Sequence, residues 1–295
     1  MVFELFFDQQ KFEQLLTTTL HLTDEQQINK LMATFQQAVQ GNTEAMVNIA
    51  LFHKGYEYYS VMIVWLEKAR QLGDAQAQYE LANCYIEGLG LEENESEAFR
   101  LYELAAKQGH ADAANNLADM YFNGEGTEID EGMALKWFTI AAEAGVPEAM
   151  FTLGIMYEQG LGTETDELRA FHYYKQSAKK GFVDAQYRVG MIYFEGMLGQ
   201  QQNYEQAMYW FKQAAQQFNI DAIYNIAYLF EQGLGVEQNG KQALSYYKQA
   251  SMLGDYESKL TIARLYEQGL IIQKNEAEAA KWRKAAQQQL AEAKE

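Results

Sequence analysis

Apolar residues recur along most of this chain at helical rather than strand spacing. Taking Gly73 as an origin, Gly109, Gly145 and Gly181 follow at intervals of 36 residues. Phe218 then stands one residue late where glycine is expected, and Gly254 comes 36 further on. Gly41 lies 32 residues before Gly73, so seven units begin at Gly41, Gly73, Gly109, Gly145, Gly181, Phe218 and Gly254. Four residues after each origin comes Ala45, Ala77, Ala113, Ala149, Ala185, Ala222 or Ser258. Eight after it comes Ile49, Leu81, Leu117, Leu153, Val189, Ile226 or Ile262, and twelve after it, from the second unit, an aromatic from Tyr85 to Tyr266. Offsets of 4, 8 and 12, with apolar residues such as Cys84 and Met156 at 11, form one stripe of an α-helix.

A glycine pair follows five of the seven stripes: Gly88/Gly90, Gly124/Gly126, Gly160/Gly162, Gly196/Gly199 and Gly233/Gly235. A second stripe then opens on Ala98, Ala134, Ala170, Ala207, Ala243 and Ala279. It runs through pairs such as Trp137/Phe138 and Tyr173/Tyr174, and closes on Ala105, Ala141, Ser177, Ala214, Ala250 and Ala285. Each unit therefore reads helix, glycine-containing loop, helix, turn. One such pair cannot bury its apolar faces alone, so the units must stack. The predicted division is a helical N-terminal cap over 1–40, with stripes at Phe12/Leu15/Leu16 and Ile28/Leu31/Met32/Phe35. Seven repeats over 41–289 follow (41–72, 73–108, 109–144, 145–180, 181–217, 218–253, 254–289), and a tail, 290–295, continues the last helix.

The pattern A-x-x-x-L-[AG]-x-x-Y-x-x-G-x-G, then A-x-x-W/Y-Y/F-x-x-A-A-x-x-G, resembles the Sel1-like repeat, a relative of the tetratricopeptide repeat. Ala149–Gly162 with Ala170–Gly181 carries it most fully, and it covers about 245 residues. The resemblance implies an all-α fold, a right-handed α/α superhelical solenoid. Two units depart from the pattern. The loop after Lys54-Gly55 is shorter, and the seventh unit lacks the second glycine, reading Gly269-Leu270-Ile271. Some members of the family carry a disulfide in each repeat; with Cys84 alone this chain cannot.

Charge narrows the partners. A formal net charge of −18 argues against nucleic acid and against anionic lipid, both of which call for a basic face. It favours a basic protein partner through electrostatic steering. The N-terminus, MVFELFFDQQKFEQLL, has no basic segment and Glu4 and Asp8 interrupt its apolar run, so a signal peptide is not expected. No window approaches the length of a membrane span. One cysteine suits a reducing compartment, so a cytoplasmic location is expected.

No chemistry-bearing constellation emerges. The Gly-x-Gly pairs are not completed to a dinucleotide or P-loop motif, and Glu125, Glu128, Glu164 and Asp166 flank them. Their simplest role is to end helices in the left-handed conformation. His21, His53, His110 and His172 lie without metal-ligand spacing, and His110 reads as a first-turn residue. Cys84 occupies a core offset with no evident catalytic histidine. The acids three residues after the origins (Glu44, Asp112, Glu148, Asp184, Asp221, Glu257) suit helix N-termini. Pro147 suits a first helical turn for its own reason: its missing N–H and fixed φ cost nothing there. No cofactor, no metal and no enzymatic activity are expected.

The informative surface lies opposite the core stripe of each first helix. At about 100° per residue, offsets 6, 10 and 13 fall away from offsets 4, 8 and 12. A solvated wall should be polar there. Instead the track includes Tyr79, Asn115, Asp119, Phe122, Phe151, Ile155, Tyr187, Met191, Phe194, Tyr224 and Tyr228, with Glu158, Glu231 and Glu267 interspersed. Aromatic and methionine anchors among polar groups are what protein interfaces use. In the related tetratricopeptide repeats the concave wall takes peptides or proteins. The expected function is a non-catalytic scaffold, monomeric or weakly oligomeric, that binds another protein or peptide on this wall, a basic one by the net charge. Two alternatives are carried: a cytoplasmic immunity or antitoxin-type protein that neutralises a toxin, and a hydrolase built on the repeats, which would need a nucleophile and base the pattern does not supply.

Overall fold

A computed structural model describes residues 7–292. Among them are sixteen α-helices and no strand. Helix α1 (Gln9–Gln14) runs into a π-helical turn at Leu15–Thr19, and α2 spans Glu25–Val39. Hairpins follow: α3 (Thr43–Gly55) with α4 (Tyr59–Gln71), α5 (Ala75–Glu87) with α6 (Glu95–Lys107), and α7 (Ala111–Asn123) with α8 (Glu131–Glu143). The remaining pairs are α9 (Pro147–Gln159) with α10 (Glu167–Lys179), α11 (Val183–Glu195) with α12 (Tyr204–Gln216), α13 (Ile220–Gln232) with α14 (Gly240–Met252), and α15 (Tyr256–Gln268) with α16 (Glu276–Glu292). The chain divides into two compact units, Met1–Val146 and Pro147–Glu295. Each is a stack of α/α hairpins in which a helix packs on its own partner and on the next hairpin. The opening six residues of the N-terminal sequence and the last three of the tail lie outside the described residues.

Helix starts are fixed by side-chain caps. Asn42, Asp74, Asn219 and Asp255 each accept the backbone N–H three residues on. Asn94, Asp130, Asp166 and Asn203 do the same for second helices. Each such cap contributes about 1 kcal/mol by satisfying an otherwise orphaned donor. His110 is one of them rather than the first-turn residue expected: its Nδ1 accepts from Ala113 N at 3.2 Å, and its Nε2 meets Gln76 Oε1. Phe182 caps nothing.

The glycine pair has two separate jobs, visible at Gly233 and Gly235. Gly233 ends α13 at φ 70°, its N–H bonded to Leu229 O. Gly235 lies so close to the start of α12 that a Cβ there would sit 2.6 Å from Tyr204 Cβ. Beyond the loop, Asn239 N bonds to Phe230 O, so the aromatic at offset 12 anchors the next helix through its carbonyl. The bond recurs from Asp166 to Tyr157 and from Asn275 to Tyr266. Phe218 adopts the glycine's left-handed turn at φ 62°, with its ring 69% exposed.

The cores are alanine layers filled by large rings. Ala77, Ala113, Ala149, Ala185 and Ala222 are fully buried, as are Trp65, Phe138, Tyr174, Phe211 and Tyr247 or nearly so. Cys84 is buried among them, and burial pushes its thiol up to about 11. Helix meets ring closely at Gly154 and Gly190, where a Cβ would lie 2.6 Å from the rings of Tyr174 and Phe211. Burying a ring the size of Phe211 contributes roughly 1.5–3 kcal/mol.

Candidate functional site

The eleven candidate wall residues are all half-buried. The reason is a contact that recurs in both units. The aromatic at offset 6 of a first helix lies against the ring at offset 29 or 30 of its own second helix. In the first unit Tyr79 meets Tyr102 at 5.9 Å; in the second, Phe151 meets Tyr174 at 5.4 Å, Tyr187 meets Phe211 at 5.9 Å and Tyr224 meets Tyr247 at 5.2 Å. These rings are therefore shared between the wall and the core, with one edge packed and one edge open.

In the first unit Tyr79 also stacks on His110 at 4.5 Å. Asn115 Nδ2 donates to Asp119 Oδ2 at 3.2 Å, while Asn115 Oδ1 is buried with no hydrogen-bond partner among the described residues. Burial, with a smaller push from Glu125, raises the Asp119 carboxyl to about 6. Phe122 is half-buried on the same helix.

The second unit brings its candidates closer together. Phe194 of α11 faces Tyr228 of α13 at 6.1 Å, and Phe151 of α9 meets Phe182 at 5.3 Å. Asn225 of α13 reaches back to α11, its Nδ2 lying 3.5 Å from Tyr187 Oη and 3.4 Å from Met191 Sδ. Tyr187, Met191 and Phe194 rest on a core of Ala207, Phe211, Ala222, Ile226 and Leu229. Ile155 is half-buried on α9. Asn225 and Phe182 escaped the offset pattern, being at positions that carry no common residue type.

The acids interspersed at offset 13 do not face solvent as free charges, and this corrects the sequence reading. Glu231 is 5% exposed; its Oε2 accepts from Tyr247 Oη at 2.7 Å and its Oε1 from Arg264 Nη2 at 2.7 Å. Glu158 repeats the arrangement, accepting from Tyr174 Oη at 2.7 Å and from Arg188 of the next hairpin. Glu267 pairs with Arg283, which stands where the tyrosine would be. Burial and the adjoining carboxylate push both the Tyr174 and Tyr247 phenols well above the ordinary range. Where the second helix offers Phe138 or Phe211 instead, offset 13 is Phe122 or Phe194. Buried hydroxyls thus come with an acceptor, and buried phenyl rings come without one. A signal for this lay in the sequence, as partial co-variation of two offsets between repeats; Tyr102 breaks it, with Ile86 at offset 13 and its hydroxyl given instead to Asn83.

Among the described residues no group of His, Cys, Asp and Glu could hold a metal ion, and no helix is long and apolar enough to cross a membrane. The Sel1 repeat family model matches at residues 75–110, 111–146, 147–182, 183–217, 220–255 and 262–290, and the chain belongs to that family. Sel1 repeat proteins generally mediate protein–protein interaction and are generally not catalysts. Among solved structures, the chain is similar to c5321, a protective antigen of uropathogenic Escherichia coli strains, at 29% identity and TM-score 0.83. That match covers 95% of this chain and 61% of the antigen, so the chain spans about three fifths of its length. A Sel1 repeat protein from Oxalobacter formigenes matches at 25% identity and TM-score 0.70, covering 82% of this chain and 99% of the other. An immunity protein of Pseudomonas aeruginosa, Pa5087, matches at 21% identity over 73% of this chain and 81% of its own, with a TM-score of 0.41, too low to carry an argument. No curated protein matches.

Proposed function

We propose that the protein is a non-catalytic scaffold that binds a partner protein or peptide on the first-helix face of its second unit. The observation that supports this reading most is the run of half-open rings contributed by α9, α11 and α13. Phe151, Tyr187, Met191, Phe194, Tyr224 and Tyr228 form it, with Ile155 beside them. Phe151, Tyr187, Phe194 and Tyr224 each have one edge fixed by a second-helix aromatic, so they are rigid before a partner arrives, and little side-chain entropy is lost on binding. Tyr79, Asn115, Asp119 and Phe122 offer a smaller, more polar patch of the same kind on the first unit. In this reading residues 1–40 cap seven repeats over 41–289, and the protein acts as a monomer or weak oligomer in the cytoplasm.

Because Glu158 and Glu231 are neutralised by Arg188 and Arg264, selectivity on this face rests on apolar fit. The net charge of −18 steers a basic partner towards the molecule from a distance.

The test is affinity capture from native lysate with the wild-type chain and with Tyr187→Ala/Met191→Ala/Tyr228→Ala, followed by mass spectrometry. A partner held by the wall should be lost from the variant, weakened by roughly 30-fold or more as befits a hot-spot cluster. Circular dichroism must show the variant folded. Tyr228→Ala alone, which removes the contact with Phe194, is the gentler control. Undiminished capture by the folded variant refutes the wall. Recovery of a toxin would specify the role as neutralisation.

A further inference from the structure

Away from the wall, the first unit holds a cavity of about 220 Å³ beneath its N-terminal helix. Its lining is mainly apolar: Phe12 and Leu15 from the α1 segment, Val61 from α4, and Tyr58 at the entry to α4. His53 of α3 lines it too, and the exposed charges of Asp8 and Lys11 stand at its edge. The histidine is the unusual member. It is 3% exposed, and its Nδ1 has no hydrogen-bond partner among the described residues. Its ring lies edge-on to Phe12 at 6.0 Å, to Phe52 at 5.6 Å and to Tyr58 at 6.2 Å.

A buried imidazole with an unmet nitrogen is less stable than leucine in the same place unless something bonds to it. Burial holds it neutral, lowering its ordinary value to about 4, so the cavity presents a neutral donor–acceptor ring and not a charge. The chain above it departs from regular helix at the same place: Leu15 begins the π turn, a form found often at functional sites. The size exceeds the roughly 150 Å³ of an apolar cavity that takes up benzene, leaving room for one ring with a substituent.

We infer that this cavity binds a small neutral aromatic molecule carrying one hydrogen-bonding group, its ring among Phe12, Leu15 and Val61 and its polar group on the His53 imidazole. A hydrocarbon of equal size would leave the imidazole unmet, and an anion would lose its hydration against the apolar lining.

The test titrates the full chain with phenol, toluene and benzoate, reading saturation-transfer NMR and the His53 ring signals. Phenol should saturate in the millimolar range or below and move the His53 signals, with toluene weaker by about tenfold or more. Leu15→Trp, which fills the cavity, should abolish phenol binding while circular dichroism stays unchanged. His53→Phe should bring phenol and toluene to equal affinity; if that variant fails to fold, the Leu15→Trp comparison decides alone. No saturable phenol binding, or phenol binding undisturbed in folded Leu15→Trp, overturns the site. Toluene equal to phenol in the wild type overturns the role of His53, and benzoate equal to phenol overturns the neutral class.

Discussion

Replacing Glu231 by methionine isolates what the buried tyrosine–glutamate–arginine network is worth. Methionine keeps the volume and the unbranched shape, so packing changes little. The hydroxyl of Tyr247, fully buried and bonded at 2.7 Å, loses its acceptor. An orphaned buried hydroxyl costs about 1–3 kcal/mol. Arg264, whose side chain is 44% exposed, turns to water and loses at most about 1 kcal/mol. Glu231→Met should therefore destabilise by about 1–4 kcal/mol, lowering the thermal midpoint by roughly 2–16 °C at about 2–4 °C per kcal/mol for a chain of this size class. Tyr247→Phe alone removes one hydrogen bond but leaves Glu231 paired with Arg264, and should cost about 1–2 kcal/mol. The double variant recreates the apolar pairing seen at Phe194 and Phe211, 6.2 Å apart, where no hydroxyl needs an acceptor. Its loss should fall short of the two single losses added together by about 1–3 kcal/mol, a coupling measurable by urea titration or melting followed by circular dichroism. Additivity within about 0.5 kcal/mol would refute the network as an energetic unit.

Two further substitutions test burial elsewhere. Asp119→Asn should stabilise the protein by about 2 kcal/mol at pH 7, because the folded state raises this carboxyl to about 6. A raised carboxyl stabilises the fold below its ordinary value and loses that contribution as pH climbs through 6, so the gain over wild type should vanish near pH 4 in paired melts; an equal gain at both pH values would contradict it. Gly154→Ala should destabilise by about 1–2 kcal/mol despite alanine's better helix propensity, because the new methyl would lie 2.6 Å from the Tyr174 ring. A raised melting temperature for this variant would show that Tyr174 yields easily.

Much of the fold was written in single positions. Glycines at the turns, alanines at offset 4 and aromatics at offset 12 each repeat one residue type at one place, and the helix period converts them into faces. Caps were missed because Asn42, Asp74, His110, Asn219 and Asp255 share a role and not an identity. The half-burial of the wall was missed for a different reason. A helical wheel places Tyr187 opposite Val189's neighbours on α11, yet it does not say how far the Phe211 ring of α12 reaches across. Pairings such as Glu231 with Tyr247 need two faces considered at once, and the cavity around His53 depends on how α1 lies over α3 and α4. Neither is a property of any one stripe.

From α2 onward, the helices of each unit pack chiefly on those next to them in the chain, and the side-chain link from Asn225 back to Tyr187 spans 38 residues. Among the described residues of either unit, no strand or helix from one end returns to lock the other. Under mechanical load such a unit has no single latch to break: tension on one hairpin is met by two interfaces, and the layers beyond them feel nothing until those give way. Each hairpin that yields releases about 120 Å of extended chain, so the molecule lengthens in steps, keeping the rest of its wall in register while one end is drawn out.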